Sequence, residues 1–435
     1  MAQDHTASAD RARLPRAHPV SWWMLVITSL AIFGTSIDAS LLPTVLPGIK
    51  KSLHLDTQGA GFLASIYYFG CIIGGIAFGV VSDAVGTGYR RTWTWIAAML
   101  VSIIGGLLSF AFAASLIGFQ LMRVVMGISR GGSEPTNVAM VGEWWQKEDR
   151  GFAVGVHHTG FPIGQFIGPL VIGLILGIAS WPHVYLLIPL VAIPIVVAQI
   201  FVGTRKNQQR VYAWIDDHRL TRPTPDIGGA EKLQNPWPMI KIVLGNPNAR
   251  SSVIMNFLFL FAELGVATFI TTDLTQKGMS LSQAAIISGA SGLTGWIGQV
   301  GWGTLSDRLG RKFALRIIIC GWIVAVLLMI FISSAWSAWV ILIFWGLFRN
   351  SSYPVNYSLL IDSVPQAAGS AMGIMIGISF GLAGLVVSSV AGFVIQHFGF
   401  TADYVMLACV VALALVPLAL VKETVPAAAQ GPAAG

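Results

Sequence analysis

Apolar runs of about 20 residues recur along this chain, and each is long enough to cross a bilayer hydrocarbon core as a helix. They lie near 22–46, 58–82, 92–113, 116–145, 151–178 and 183–203, then near 250–274, 281–306, 312–334, 336–361, 366–396 and 401–421. Hydrocarbon offers no water to satisfy peptide N–H and C=O groups, so each run is expected to be helical. Only 10% of the 435 residues are charged and the mean hydropathy is +0.73, too few charges to cover a soluble surface. The expected fold is therefore all-α and integral to the membrane. It has twelve transmembrane helices, with both termini on one side.

Loop charge sets the orientation. The one long polar connection, 204–249, carries Arg205, Lys206, Arg210, Arg219, Arg222, Lys232 and Lys241, whereas the loop from Pro47 to Thr57 has only Lys50 and Lys51. Lysine and arginine bias places the long connection and both termini in the cytoplasm, with the chain in a plasma membrane of the bacterial inner-membrane kind. The expected layout is a tail over 1–21, a six-helix bundle over 22–203, the linker, a second bundle over 250–421 and a tail over 422–435. The same loop placement accounts for the net charge of +7 without a nucleic-acid partner. Cys71, Cys320 and Cys409 sit in apolar runs with no CxxC and no neighbouring histidine, so neither a metal nor a disulfide is expected, and no cofactor motif is present. The partners expected are the lipid bilayer and small solutes, with the chain a monomer.

The two halves repeat each other. GVVSDAVGTGYRR runs from Gly79 to Arg91 and GTLSDRLGRK from Gly303 to Lys312, with the same Gly–Asp spacing 224 residues apart. At about that interval Asp38 falls beside Glu263, and Arg123 near Arg349. Matched positions in two six-window halves predict two pseudo-symmetric bundles.

The fourth window carries an unusual face. In LMRVVMGISRGGSE, Arg123, Arg130 and Glu134 are seven and four residues apart, which brings them onto nearly one side of a helix. Each costs about 2.5–3.5 kcal/mol at membrane depth, so such groups point into a bundle or a water-filled cavity.

These residues resemble the major facilitator superfamily. Its loop signature G-x-x-x-D-R-x-G-R-[RK] is matched by Gly303, Asp307, Arg308, Gly310, Arg311 and Lys312. The first copy keeps Gly79, Asp83, Gly86, Arg90 and Arg91 but has Ala84 for the basic residue and three extra residues before the arginines. The resemblance implies that both loops act as conformational latches. Within the superfamily, RVVMGISRGGSEP and the EWWQKEDRGFAVG loop look most like the anion:cation symporters, carriers of organic anions and sugar acids. Relatives often carry R-x-x-x-G-x-x-E here; Arg123 and Gly127 match, and Arg130 stands where the glutamate would be. The resemblance implies alternating-access, proton-coupled symport of a small organic anion, and no enzymatic activity.

Other readings stay open residue by residue. Asp38 couples protons or sits in a fixed salt bridge. Arg130 binds a substrate carboxylate or is neutralised by Glu134 at i+4. His157 and His158 face a cavity or pack. Glu263 and Arg349 pair with each other or serve coupling and substrate; Asn256 and Asn356 share their helix faces. Tyr67 stacks on substrate or fills the core. The rivals to symport are an anion exchanger, a proton-coupled exporter of drugs or metabolites, and a non-transporting sensor.

Overall fold

A computed structural model describes residues 15–224, 227, 237–364 and 368–425. The first bundle holds α1 (Pro19–Ser52), α2 (Thr57–Val85), α3 (Tyr89–Ala111), α4 (Leu116–Glu143) and α5 (Arg150–Ile178). Its sixth span is α6 (Pro182–Leu187), a 3-10 turn and α7 (Ala192–Val202). The linker contributes α8 (Arg205–Asp217) and α9 (Trp237–Gly245). The second bundle holds α10 (Pro247–Gln276), α11 (Leu281–Ser288) with α12 (Ala290–Leu309), and α13 (Arg311–Leu328). It continues with α14 (Ala335–Arg349) and α15 (Ser352–Ser363), then α16 (Ala368–Leu413) and α17 (Leu415–Leu420).

Among the described residues, eight helical stretches are long and apolar enough to cross a membrane. The other four expected spans are hidden for local reasons. Charges interrupt α4, Gly289 separates α11 from α12, and Asn350 and Ser351 separate α14 from α15. The last two spans run on as α16, which reverses direction at Gly399, where φ is +82°. Twelve spans result among the described residues, all helical.

Polar contacts repeat between the halves and fix their register. Asn137 Nδ2 donates to the Thr28 carbonyl at 3.1 Å, and Asn356 Nδ2 to the Ser252 carbonyl at 2.9 Å. Arg91 bonds Glu143 and Ser82, while Arg311 bonds Asp362 and Ser306. The fourth and tenth spans thus match at 219 residues, 137 to 356 and 143 to 362. That spacing sets Arg349 opposite Arg130. The sequence expectation paired it with Arg123, because the 224-residue shift read from Ser82 and Ser306 falls to 220 at Arg91 and Arg311, past the extra residues of the first loop.

Small residues bring α2 and α4 together. A Cβ on Gly131 would stand 2.0 Å from the Cys71 carbonyl oxygen, and one on Gly74 2.0 Å from that of Ile128. The halves meet along α2 and α16, α5 with α11 and α12, and α1 with α10. Named contacts include Ser65 with Ser389 at 2.8 Å, Thr57 N with Gln396 Oε1 at 3.0 Å, and Ser282 Oγ on the Gly173 carbonyl at 2.7 Å. These run from the end remote from the linker to mid-depth. Nearer the linker, a Cβ on Gly79, Gly155 or Gly301 would meet open space.

The linker helix α8 packs on the first bundle. Val211, Tyr212 and Ile215 join a core with Met24, Trp144 and Trp145. Gln208 Oε1 accepts from Tyr89 N at 2.9 Å, and the Tyr212 hydroxyl donates to the Glu143 carbonyl at 3.2 Å. The extra residues in the first of the repeated loops, Thr87 to Tyr89, supply this docking point.

Candidate functional site

The fourth span sets its charges by helical pitch, and the structure gives each a different environment. Arg130 is 3% exposed. Its Nη2 lies 2.7 Å from Glu134 Oε2, whereas Nε and Nη1 are buried without a hydrogen-bond partner. Phe161 of α5 and Phe380 of α16 lie 5.7 and 5.9 Å from the guanidinium, one ring from each half. Arg123 lies over the Tyr67 ring at 4.5 Å; its Nη1 lies 3.7 Å from Met126 Sδ, and its Nε is unpartnered. Neither arginine meets Asp38 within ion-pair distance among the described residues, although the Asp38 carboxylate feels the field of both. A cavity of about 190 Å³ borders Asp38 and Arg130, with Ser102, Ile103, Ile167 and Val171 among its walls. Two guanidiniums thus lie near one paired and one unpaired carboxylate, and guanidinium N–H groups are donors suited to a carboxylate.

The second half resolves its charges internally. Arg349 Nε lies 2.8 Å from Glu263 Oε1, Arg349 Nη1 donates to Ser291 Oγ at 2.8 Å, and the Tyr353 hydroxyl donates to Glu263 Oε2. The Arg349 guanidinium also lies 4.7 Å from the Trp345 ring. Of the two readings left open for Glu263 and Arg349, the structure places them as a pair. Gln165 of α5 joins the halves, accepting from Asn350 Nδ2 at 3.0 Å and reaching Glu263 Oε1 at 3.5 Å.

Other expected residues lie apart from this group. Asn256 and Asn356 have no exposure; Asn356 is spent on the bond from α15 to α10, and both amide atoms of Asn256 are unpartnered. His157 is fully buried with neither ring nitrogen bonded, while His158 is exposed and its ring stands 5.3 Å from that of His157. In the two repeated loops, Arg91 and Arg311 make the bonds given above. Arg90 is exposed beside Tyr89, and Arg308 is exposed. The side chains of Asp83 and Asp307 lie outside the described residues.

Sequence reading missed Gln165, Asn350 and Phe380, since single neutral or aromatic residues in apolar runs carry no periodic signal. It also missed Asp273, which accepts from Tyr404 at 2.8 Å and Lys277 at 2.9 Å, and the buried Asp403 next to Tyr404 in the chain. The Asp273–Lys277 spacing of four was a legible signal for one of these pairs.

Twelve spans in two similar halves, with charged groups converging at mid-depth, define a multi-pass membrane transporter rather than an enzyme. The Major Facilitator Superfamily profile matches residues 28–378 and 252–435, and the chain belongs to that family. It is 25% identical to a probable sulfoacetate transporter of Cupriavidus necator over 86% of this chain and 87% of the relative. It is 22% identical to a probable galactarate/D-glucarate transporter of Escherichia coli over 87% of this chain and 88% of the relative. A benzoate transport protein of Acinetobacter baylyi is 22% identical over 68% of this chain and 66% of the relative. Among solved structures, a D-xylose-proton symporter superposes with a TM-score of 0.72 at 18% identity, covering 93% of this chain and 98% of that one.

Proposed function

We propose that the protein is a secondary transporter of a small organic carboxylate, working by alternating access and coupled to protons. The observation that carries this reading is the unpartnered Nε–Nη1 edge of Arg130, buried between rings of the two halves. A buried guanidinium edge without an acceptor forgoes about 1.5–3 kcal/mol per charge-assisted hydrogen bond, which a carboxylate restores. Arg123 adds a second positive charge with no carboxylate of its own. The relatives named above, carriers of sulfoacetate, galactarate or D-glucarate, and benzoate, support an acidic substrate.

In this reading Asp38 takes the proton. It borders the same cavity as Arg130 and has no ion-pair partner among the described residues. A neutral Asp38 leaves the two arginines in excess over Glu134 by one charge, which the substrate anion cancels before the halves rock. With the linker in the cytoplasm, contacts between halves cluster at the outer end, so the pathway opens inward. Arg91 with Glu143 and Arg311 with Asp362 then serve as cytoplasmic latches, alongside Asp83 and Asp307. The reading takes the tails, two bundles and linker at the boundaries expected above, with the chain a monomer in the bacterial inner membrane.

The test is uptake of labelled carboxylates into proteoliposomes with and without an inward proton gradient. Gradient-driven accumulation of an organic anion is the expected result. Expulsion of a lipophilic cation with no anion uptake would replace this reading by the exporter.

A further inference from the structure

The neutral amides that would recognise a heavily hydroxylated acid are either bonded elsewhere or fully buried in packing. Asn256 and Asn356 are sealed between α10 and α15, and Gln165 and Asn350 bond each other across the seam. Around Asp38 and Arg130, the Thr35 hydroxyl donates to the Ala31 carbonyl at 2.6 Å and that of Ser129 to the Ala98 carbonyl at 2.7 Å. Aromatic rings from both halves stand next to the Arg130 guanidinium. Phe161 and Phe380 flank the guanidinium, Tyr68 meets Phe380 edge-on with centroids 5.4 Å apart, and Tyr67 meets Tyr68 at 5.3 Å. Tyr68, Phe161 and Phe380 keep part of their surface open. Rings in this edge-to-face arrangement accept a further ring at little cost, because edge and face carry opposite partial charge.

Charge narrows the choice further. Arg123 and Arg130 against Glu134 leave one positive charge once Asp38 is neutral, and Arg349 with Glu263 cancels. One negative charge completes the site and a second would be stranded at membrane depth.

We infer that the substrate is an aromatic monocarboxylate, its carboxylate on the Nε–Nη1 edge of Arg130 and its ring among Phe161, Tyr68 and Phe380. This rests on Arg130 being the carboxylate anchor. The deciding experiment is calorimetric titration of the full chain in detergent with benzoate, cyclohexanecarboxylate and D-glucarate. Benzoate binds, about tenfold more tightly than cyclohexanecarboxylate, and D-glucarate does not saturate over the same range. Phe380→Leu weakens benzoate by about tenfold and leaves cyclohexanecarboxylate unchanged, the second ligand reporting that the variant is folded. Where that variant does not fold, Phe161→Leu is read in the same way. Tighter binding of D-glucarate than benzoate, or equal binding of the two ring acids, overturns the aromatic assignment and leaves the carboxylate anchor standing. If none of the three binds, the anchor itself fails.

Discussion

Arg130 holds Glu134 at 2.7 Å through one nitrogen while two other N–H groups of the same guanidinium have no acceptor. The i, i+4 pair therefore neutralises the arginine only in part. Replacing Arg130 with Gln removes the charge-assisted bonds and weakens carboxylate binding by roughly ten- to a hundredfold. Glu134→Gln acts in the opposite direction and tightens it, by about fivefold or more. Direct binding titrations check both, and unaltered affinity in Arg130→Gln would remove that residue from the site.

Asp38 borders the cavity without a partner, so its neutral isostere should be well tolerated. Asp38→Asn is expected to abolish gradient-driven accumulation while sparing substrate binding and counterflow exchange. Accumulation at the wild-type level in this variant would take Asp38 out of the coupling role.

Glu263 and Arg349 form a buried ion pair whose remaining atoms reach Tyr353 and Ser291. Breaking such a pair by removing one partner costs about 3–5 kcal/mol, whereas replacing both by apolar residues is near neutral. Arg349→Met is expected to lower the thermal unfolding temperature sharply, and adding Glu263→Leu to restore much of it. Equal losses in the single and double variants would show that the two residues do not act as a pair.

The close approach of α2 and α4 makes a further demand. A Cβ on Gly131 would stand 2.0 Å from the Cys71 carbonyl oxygen, which is backbone and cannot swing aside. Gly131→Ala is expected to separate the helices and abolish folded protein in the membrane, whereas Gly79→Ala, which meets open space, is expected to express normally. Fluorescence-detected size exclusion distinguishes the two.

The linker gives a pH dependence. Glu148, in the exposed turn after α4, accepts from Thr221 N at 3.0 Å and from the Thr221 hydroxyl at 2.7 Å, and the hydroxyl bond holds its carboxyl below the ordinary value of 4.5. A lowered carboxyl contributes docking at pH values above 4.5 and loses it as pH falls through the lowered value. Proteolysis next to Arg219 and Arg222 is expected to be slow at neutral pH and in mild acid, faster in strong acid, and fast at neutral pH in Glu148→Ala. A cleavage rate at neutral pH unaffected by that substitution would exclude docking of the linker through Glu148 and Thr221.

The class of fold was legible because hydrocarbon dictates it: apolar length fixes helices, and loop charge fixes their orientation. The Gly79 and Gly303 loops announced the duplication. The sequence also placed Arg123, Arg130 and Glu134 on one face, since helical pitch is local. Which partner each charge takes was not local. Glu263 met Arg349 across 86 residues of chain, while Arg130 kept two N–H groups free between rings from different halves. Asn256 and Asn356 shared faces with charged neighbours yet were sealed by packing. Periodicity tells which residues share a side of one helix, but the depth and crossing of neighbouring helices decide what that side faces. For this protein the sequence by itself determined a twelve-span, two-half membrane fold with a charged fourth span. Only the tertiary packing decided that Arg130, rather than Arg349, is the arginine left with an open edge.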